Sequence, residues 1–282
     1  MRNLLLAFGL CLCLSCVSAA AEGLQALETE AEIFGFEAVG RIDYVGARER
    51  GFCTGTLIAR DLVLTAAHCV VDEAGTARAP SDLTFLAGLR QGRAKGERGV
   101  RRISIHPDYT YSVDPSRDIV ASDLALLELD RPIDYWSIPP LPTGRTLDRG
   151  QGVQVVSYAR GRDDTSSREA DCSVLDRQDR VIVLDCQATF GASGSPVFVS
   201  TSAGLRVVSV VSAIGTYDGA PATYAVTVTD AMPILLSAFQ SSPTGWSAPA
   251  RAAVAAPSGP RLLRPGNRSG ASGQIRFLRP GQ

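Results

Sequence analysis

The sequence predicts an all-β domain, and three observations carry that expectation. Between Phe34 and Phe239, short runs rich in Val, Ile, Leu and Thr recur: Thr56–Ile58, Leu62–Leu64, Leu83–Leu86, Leu124–Leu129, Val153–Val156, Val181–Leu184, Val197–Val199, Val207–Val211 and Tyr224–Val228. Gly, Pro and Asp turns punctuate them. Long apolar patterns of helical period do not separate the runs, which argues against strand–helix–strand units and for a closed barrel or a sandwich. One helix is predicted over Asp230–Phe239, apolar at helical spacing, with Pro233 near its start, where a missing N–H is tolerated.

The composition bounds the function. The chain has 282 residues, 45% hydrophobic and 20% charged, with 28 Lys and Arg against 29 Asp and Glu for a formal net charge of −1. Such a balance excludes a disordered polyampholyte, a collagen-like chain and a wholly basic nucleic-acid binder, so no nucleic-acid partner is expected. The length allows one large domain or two packed halves with a sizeable core.

At the N-terminus, Met1-Arg2-Asn3 precedes an apolar run from Leu4 to Leu14 and then the small residues Ser18-Ala19-Ala20-Ala21. A positive start, an apolar run too short to span a bilayer and a small-residue end describe a secretory signal peptide over 1–21. A secreted or periplasmic protein follows. Stable membrane insertion is not expected, because no other stretch approaches the roughly 18 apolar residues of a spanning helix. An acidic leader follows over 22–32.

Seven cysteines occur, of which Cys11, Cys13 and Cys16 fall in the signal segment. In an oxidising compartment the other four, Cys53, Cys69, Cys172 and Cys186, are expected to be bridged, and three pairings are possible. A zinc site at Cys53, His68 and Cys69 is the competing reading, but the chain has no C-x-x-C pair and adjacent His-Cys is poor ligand spacing.

Residues 240–282 are rich in Pro, Gly, Ser, Ala and Arg. Arg251, Arg261, Arg264, Arg268, Arg276 and Arg279 stand there without an acid, so this region reads as a disordered basic tail. Its charge suits an anionic surface such as lipid headgroups or cell-wall polymer; a solvated tail without a partner is the simpler reading.

Three strings carry chemistry: Leu64-Thr65-Ala66-Ala67-His68-Cys69, Ser122-Asp123-Leu124-Ala125-Leu126-Leu127 and Gly191-Ala192-Ser193-Gly194-Ser195-Pro196. They supply a base, an acid and a hydroxyl. A serine hydroxyl is a weak nucleophile at neutral pH and needs an imidazole to accept its proton, while a buried carboxylate holds the imidazole's tautomer. An imidazole starts from about 6.5, so activity is expected to rise with pH through its titration. Glycines beside the serine let backbone N–H groups converge on one point, as stabilising an oxyanion requires. Of the two histidines, His106 sits in His106-Pro107-Asp108-Tyr109 and reads as a surface turn. Asp118 competes with Asp123 as the acid.

These strings, in the order His, Asp, Ser and with Gly51-Phe52-Cys53-Thr54-Gly55-Thr56-Leu57-Ile58 upstream, resemble the trypsin-like (chymotrypsin-fold) serine proteases. The resemblance covers residues 33–239. It implies two packed six-stranded antiparallel β-barrels with a short C-terminal helix, and an endopeptidase working on protein or peptide substrates without metal or cofactor. It makes His68 the general base, Asp123 the orienting carboxylate and Ser193 the nucleophile, with the N–H groups of Gly191 and Ser193 as oxyanion hole. Ser195, two residues on, is not the nucleophile. The family pairs the cysteine after the histidine with one in the preceding strand, which implies Cys53–Cys69 and leaves Cys172–Cys186. The primary pocket is expected at Gln187, Val211 and Ser212, along the stretch Val211–Gly215.

Departures are informative. Animal trypsins carry an aspartate before the nucleophile that pairs with a new N-terminus on activation; here Ala192 stands there, so that switch is expected to be absent. The reduced cysteine set and Gly-x-Ser-Gly-Ser-Pro look like bacterial secreted members, including the glutamyl endopeptidase branch. That branch uses a histidine where Val211 stands, and Gln187 offers no acid for Arg or Lys. A neutral pocket for small or medium apolar side chains is therefore the expectation. A catalytically inactive binding protein on this fold and an esterase using the same triad are the alternatives.

Overall fold

The structure is a computed structural model that describes residues 23–45, 50–242 and 275–277. The signal segment with Cys11, Cys13 and Cys16, and most of the basic tail, lie outside the described residues. The first half of the domain is built from β2 (Val39–Val45), β3 (Arg50–Ala59), β4 (Leu62–Thr65), β5 (Leu83–Ala87), β6 (Gly96–Ile105) and β7 (Ala125–Leu129), after a two-residue β1 (Gln25–Ala26). They close into an antiparallel barrel in the order β2-β3-β4-β7-β6-β5. Alternation drives the closure: in β5, Leu83, Phe85 and Ala87 point inward while Thr84 and Leu86 are half-buried. Leu57, Val63, Leu64, Leu126 and Leu127 are fully buried in this half, each worth about 1.5–3 kcal/mol relative to exposure.

The second half holds β8 (Gly152–Ala159), β9 (Arg162–Gln178), β10 (Val181–Leu184), β11 (Pro196–Thr201), β12 (Gly204–Tyr217), β13 (Ala220–Thr227) and β14 (Arg276–Phe277). Its sheet runs β1-β9-β10-β13-β12-β11-β8, and a further pairing between β8 and β9 brings it back on itself. The mostly β, chymotrypsin-like architecture expected from the sequence is therefore present: the first half is a closed six-stranded barrel, and in the second β1 and β14 add to the six strands β8–β13 to make a sheet of eight. Tyr158 on β8 ties the halves together, its buried hydroxyl donating to the Leu89 carbonyl at 2.8 Å.

Three helices are described: α1 (Glu30–Ile33), α2 (Arg117–Val120) and α3 (Val228–Ser241). α3 is longer than expected and runs past residue 240, so Pro233 lies inside it rather than near its start. The acidic leader is not a loose extension. Gln25 and Ala26 pair with Ser167 and Arg168 of β9, and Thr29 and Glu32 form a reciprocal cap on α1. Leu27 and Ile33 are buried in the core. Nor is the tail wholly apart: residues 276–277 pair with β12. Both findings revise the boundaries drawn at residues 32 and 240.

Candidate active site

Register places the acid beside the base. Antiparallel pairing of β4 with β7 sets Thr65 opposite Ala125. Three residues past Thr65, a single 3₁₀ turn over Ala67–Cys69 presents His68; two residues before Ala125, the turn after α2 presents Asp123. His68 Nδ1 lies 2.8 Å from Asp123 Oδ2, and the His68 backbone N–H donates to Asp123 Oδ1 at 2.9 Å. Asp123 is fully buried, whereas Asp118 on α2 is exposed.

The hydroxyl comes from the other half, in the loop between β10 and β11. Ser193 Oγ is 2.7 Å from His68 Nε2. Thr54 of β3 holds this loop across the interface: its N–H donates to the Ser193 carbonyl at 2.8 Å and its hydroxyl to the Gly191 carbonyl at 3.0 Å. Gly191 and Gly194 have φ of +96° and +79°. A Cβ on Gly191 would stand 2.3 Å from the Phe52 ring, and one on Gly194 2.2 Å from the Thr54 carbonyl and from Thr65 Oγ1. The loop therefore accepts only glycine at both places. The Ala192 N–H turns to the Thr189 carbonyl, and the Gly191 and Ser193 amides flank it. Ser195 is fully buried, its Oγ without a hydrogen-bond partner among the described residues. Ala192 sits in an apolar cluster with Leu147, Val153 and Val211, surroundings that would penalise a carboxylate at its position.

Cys53 is bonded to Cys69 and Cys172 to Cys186. The Cys53, His68, Cys69 group thus has both sulfurs engaged with each other and His68 Nδ1 engaged with Asp123.

Beside the nucleophile loop opens a cavity of about 910 Å³, lined by Asp185–Thr189, Ile214–Thr216, Pro221–Thr223 and Arg276. Gln187 lines it as expected. Val211 and Ser212 do not: Val211 is buried in the core, and the Ser212 hydroxyl donates to Asp123 Oδ2 at 2.5 Å. A register shift between Val211 and Ala213 changes which side chains face the cavity. Nor is the cavity wholly neutral, because Asp185 lines it. Glu169 stands close by, both carboxylate oxygens accepting the Gln187 N–H at 3.0 Å. Burial, seconded by the charge of Asp185, pushes its carboxyl above the ordinary range against the pull of Gln187 and Arg162.

Three residues that support this geometry were not singled out in the sequence as doing so: Thr54, Thr65 and Ser212. Their signal is a hydroxyl inside an apolar strand run, as for Ser212, one of two serines within Val207–Ile214.

His106 is buried rather than on a surface turn, at 1% exposure. Its Nδ1 accepts the Asp108 N–H at 3.2 Å, and its Nε2 lies 3.3 Å from Arg180. Burial holds its pKa below the ordinary value, with Arg180 acting the same way and Asp108 opposing. With the folded value depressed, the unfolded chain binds the extra proton first, so stability falls as pH drops below about 6.5. The melting temperature of the wild type should drop more between pH 7.5 and 5 than that of His106→Gln; equal drops would show that His106 is not the group responsible.

Residues 34–235 match the sequence model of the family described as Trypsin, and the chain belongs to that family. It is similar to the cercarial protease of Schistosoma mansoni, 28% identical over 162 residues that cover 54% of this chain and 59% of that protein. To the trypsin-like protease of Streptomyces glaucescens it is 34% identical over 105 residues, 37% of this chain and 34% of that protein. To the suppressor of tumorigenicity 14 protein homolog of Bos taurus it is 31% identical over 132 residues, 37% and 14%. The matched part spans less than two thirds of each relative. Among solved structures, a Glu endopeptidase in complex with MPD is similar, with a TM-score of 0.62 and 19% identity, covering 79% of this chain and 98% of that one. That likeness is one of fold.

Proposed function

We propose that this chain is an exported serine endopeptidase that hydrolyses peptide bonds through an acyl-enzyme. The observation that carries the reading is the hydrogen-bonded line from Ser193 Oγ to His68 Nε2 and from His68 Nδ1 to Asp123 Oδ2, at 2.7 and 2.8 Å, beside an open cavity. Ser193 Oγ attacks the scissile carbonyl carbon as its proton passes to His68 Nε2. The Gly191 and Ser193 amides receive the developing oxyanion, an interaction worth about 3–4 kcal/mol per donor. Asp123 steadies the imidazolium through Nδ1. His68 then returns the proton to the leaving nitrogen, the C–N bond breaks, and acyl-Ser193 remains. A water molecule, giving its proton to His68, attacks the acyl carbon; the ester C–O bond breaks and the proton goes back to Ser193. Export is supported by the N-terminal pattern and by two disulfides, which persist in oxidising compartments.

The cavity receives the side chain next to the scissile carbonyl. Its Ala188, Ile214 and Ala222 walls suit small and medium apolar groups, and Asp185 adds a site for a basic one. Fluorogenic peptides and matched esters, assayed side by side, test this reading. Wild type is expected to cleave both and Ser193→Ala neither. Ester cleavage alone would make the protein an esterase, and cleavage of neither would leave a binding protein on a protease fold.

A further inference from the structure

β12 is longer than its partners require. Its first half pairs with β11 as far as Val210, opposite Pro196, and its second half pairs with β13 from Ser209 to Tyr217. β11 thus leaves β12 before Ser212, and from there onward that edge of β12 is open to another extended segment. The edge begins at the residue whose hydroxyl holds Asp123, and Ile214, Gly215 and Thr216 further along it line the cavity beside Ser193. A peptide laid on this edge is delivered to the nucleophile.

The occupant in the structure is the chain's own C-terminal segment. β14 pairs antiparallel with β12, Phe277 opposite Ala213 and Arg276 opposite Ile214. Ile275, just before it, packs on the hydrophobic core, and Arg276 lines the same cavity as Asp185. We infer that residues 275–277 are an intramolecular ligand of the substrate-binding edge and restrain the enzyme by competing with peptide substrates. The inference rests on the serine-endopeptidase reading. One edge takes one strand, so an incoming peptide must displace β14. Tethering favours the resident segment, since linked ligands act at effective concentrations on the order of millimolar. If the segment holds the edge about nine-tenths of the time, the apparent KM for peptides rises roughly ten-fold.

The test uses the full chain and the variants Phe277→Pro, which removes an N–H and disfavours strand pairing, and Ile275→Asp, which takes away the apolar packing just before β14. Two quantities are read: KM and kcat for a fluorogenic hexapeptide, and the rate of Ser193 labelling by a small alkyl fluorophosphonate, which does not need the edge. The expected result is a KM lower by roughly ten-fold in both variants, with kcat and labelling unchanged, and competitive inhibition of Phe277→Pro by a synthetic peptide of residues 272–280. Unchanged KM in both variants while all three proteins label would overturn the inference alone. Absence of labelling and of hydrolysis in all three would overturn the endopeptidase reading and this inference with it.

Discussion

Asp123→Asn should leave the protein folded and lower kcat for peptides about 10⁴-fold, the scale set by the equivalent change in the Ser-His-Asp template. In the wild type one oxygen of Asp123 accepts from the His68 backbone N–H, and the other faces both His68 Nδ1 and the Ser212 hydroxyl. An asparagine keeps one acceptor oxygen and puts an NH₂ in place of the other. If the NH₂ faces Nδ1, the imidazole must carry its proton on Nε2, where it can no longer accept the Ser193 proton. Circular dichroism and steady-state kinetics on the variant check this; a loss smaller than ten-fold with an intact fold would mean that Asp123 does not orient His68.

Gly194→Ala is expected to be as damaging, through sterics rather than charge. The new methyl would lie 2.2 Å from the Thr54 carbonyl and from Thr65 Oγ1, at a φ of +79°. The backbone cannot withdraw easily, because the Gly194 N–H donates to the Val211 carbonyl and the Ser193 carbonyl accepts from Thr54. Overpacking and left-handed strain together should destabilise by roughly 2–5 kcal/mol and remove activity. Gly152→Ala is the control: a Cβ there meets nothing within 4 Å, and its φ is not positive. Thermal melts of the two should separate by several degrees, and coincident curves would contradict the packing described.

Much of this was legible in the sequence because it is local. Runs such as Leu62–Leu64 and Val181–Leu184 are strands since their apolar residues have nowhere else to go. The three chemical strings fall in one cleft because chain order and barrel closure bring them together. What escaped depends on distant partners. The acidic leader looked detachable, yet Thr29-x-x-Glu32 is a capping box, and Leu27 and Ile33 find their cover only in the folded domain. His106 precedes Pro107 and Asp108, which do form a turn, but long-range packing buries the ring. The side-chain count along Val211–Gly215 fails at the register shift, which moves the cavity wall to Ile214 and Gly215 and turns Ser212 toward Asp123. Two residues of the tail, Arg276 and Phe277, form a strand pair only because β12 offers an edge.

The most direct test of the account is to label the purified protein with a fluorophosphonate and map the adduct by peptide mass, alongside Ser193→Ala, Ser195→Ala and His68→Ala. A single adduct on Ser193 is expected, retained in Ser195→Ala and lost in the other two. An adduct on Ser195, or labelling that survives in His68→Ala at the wild-type rate, would contradict it.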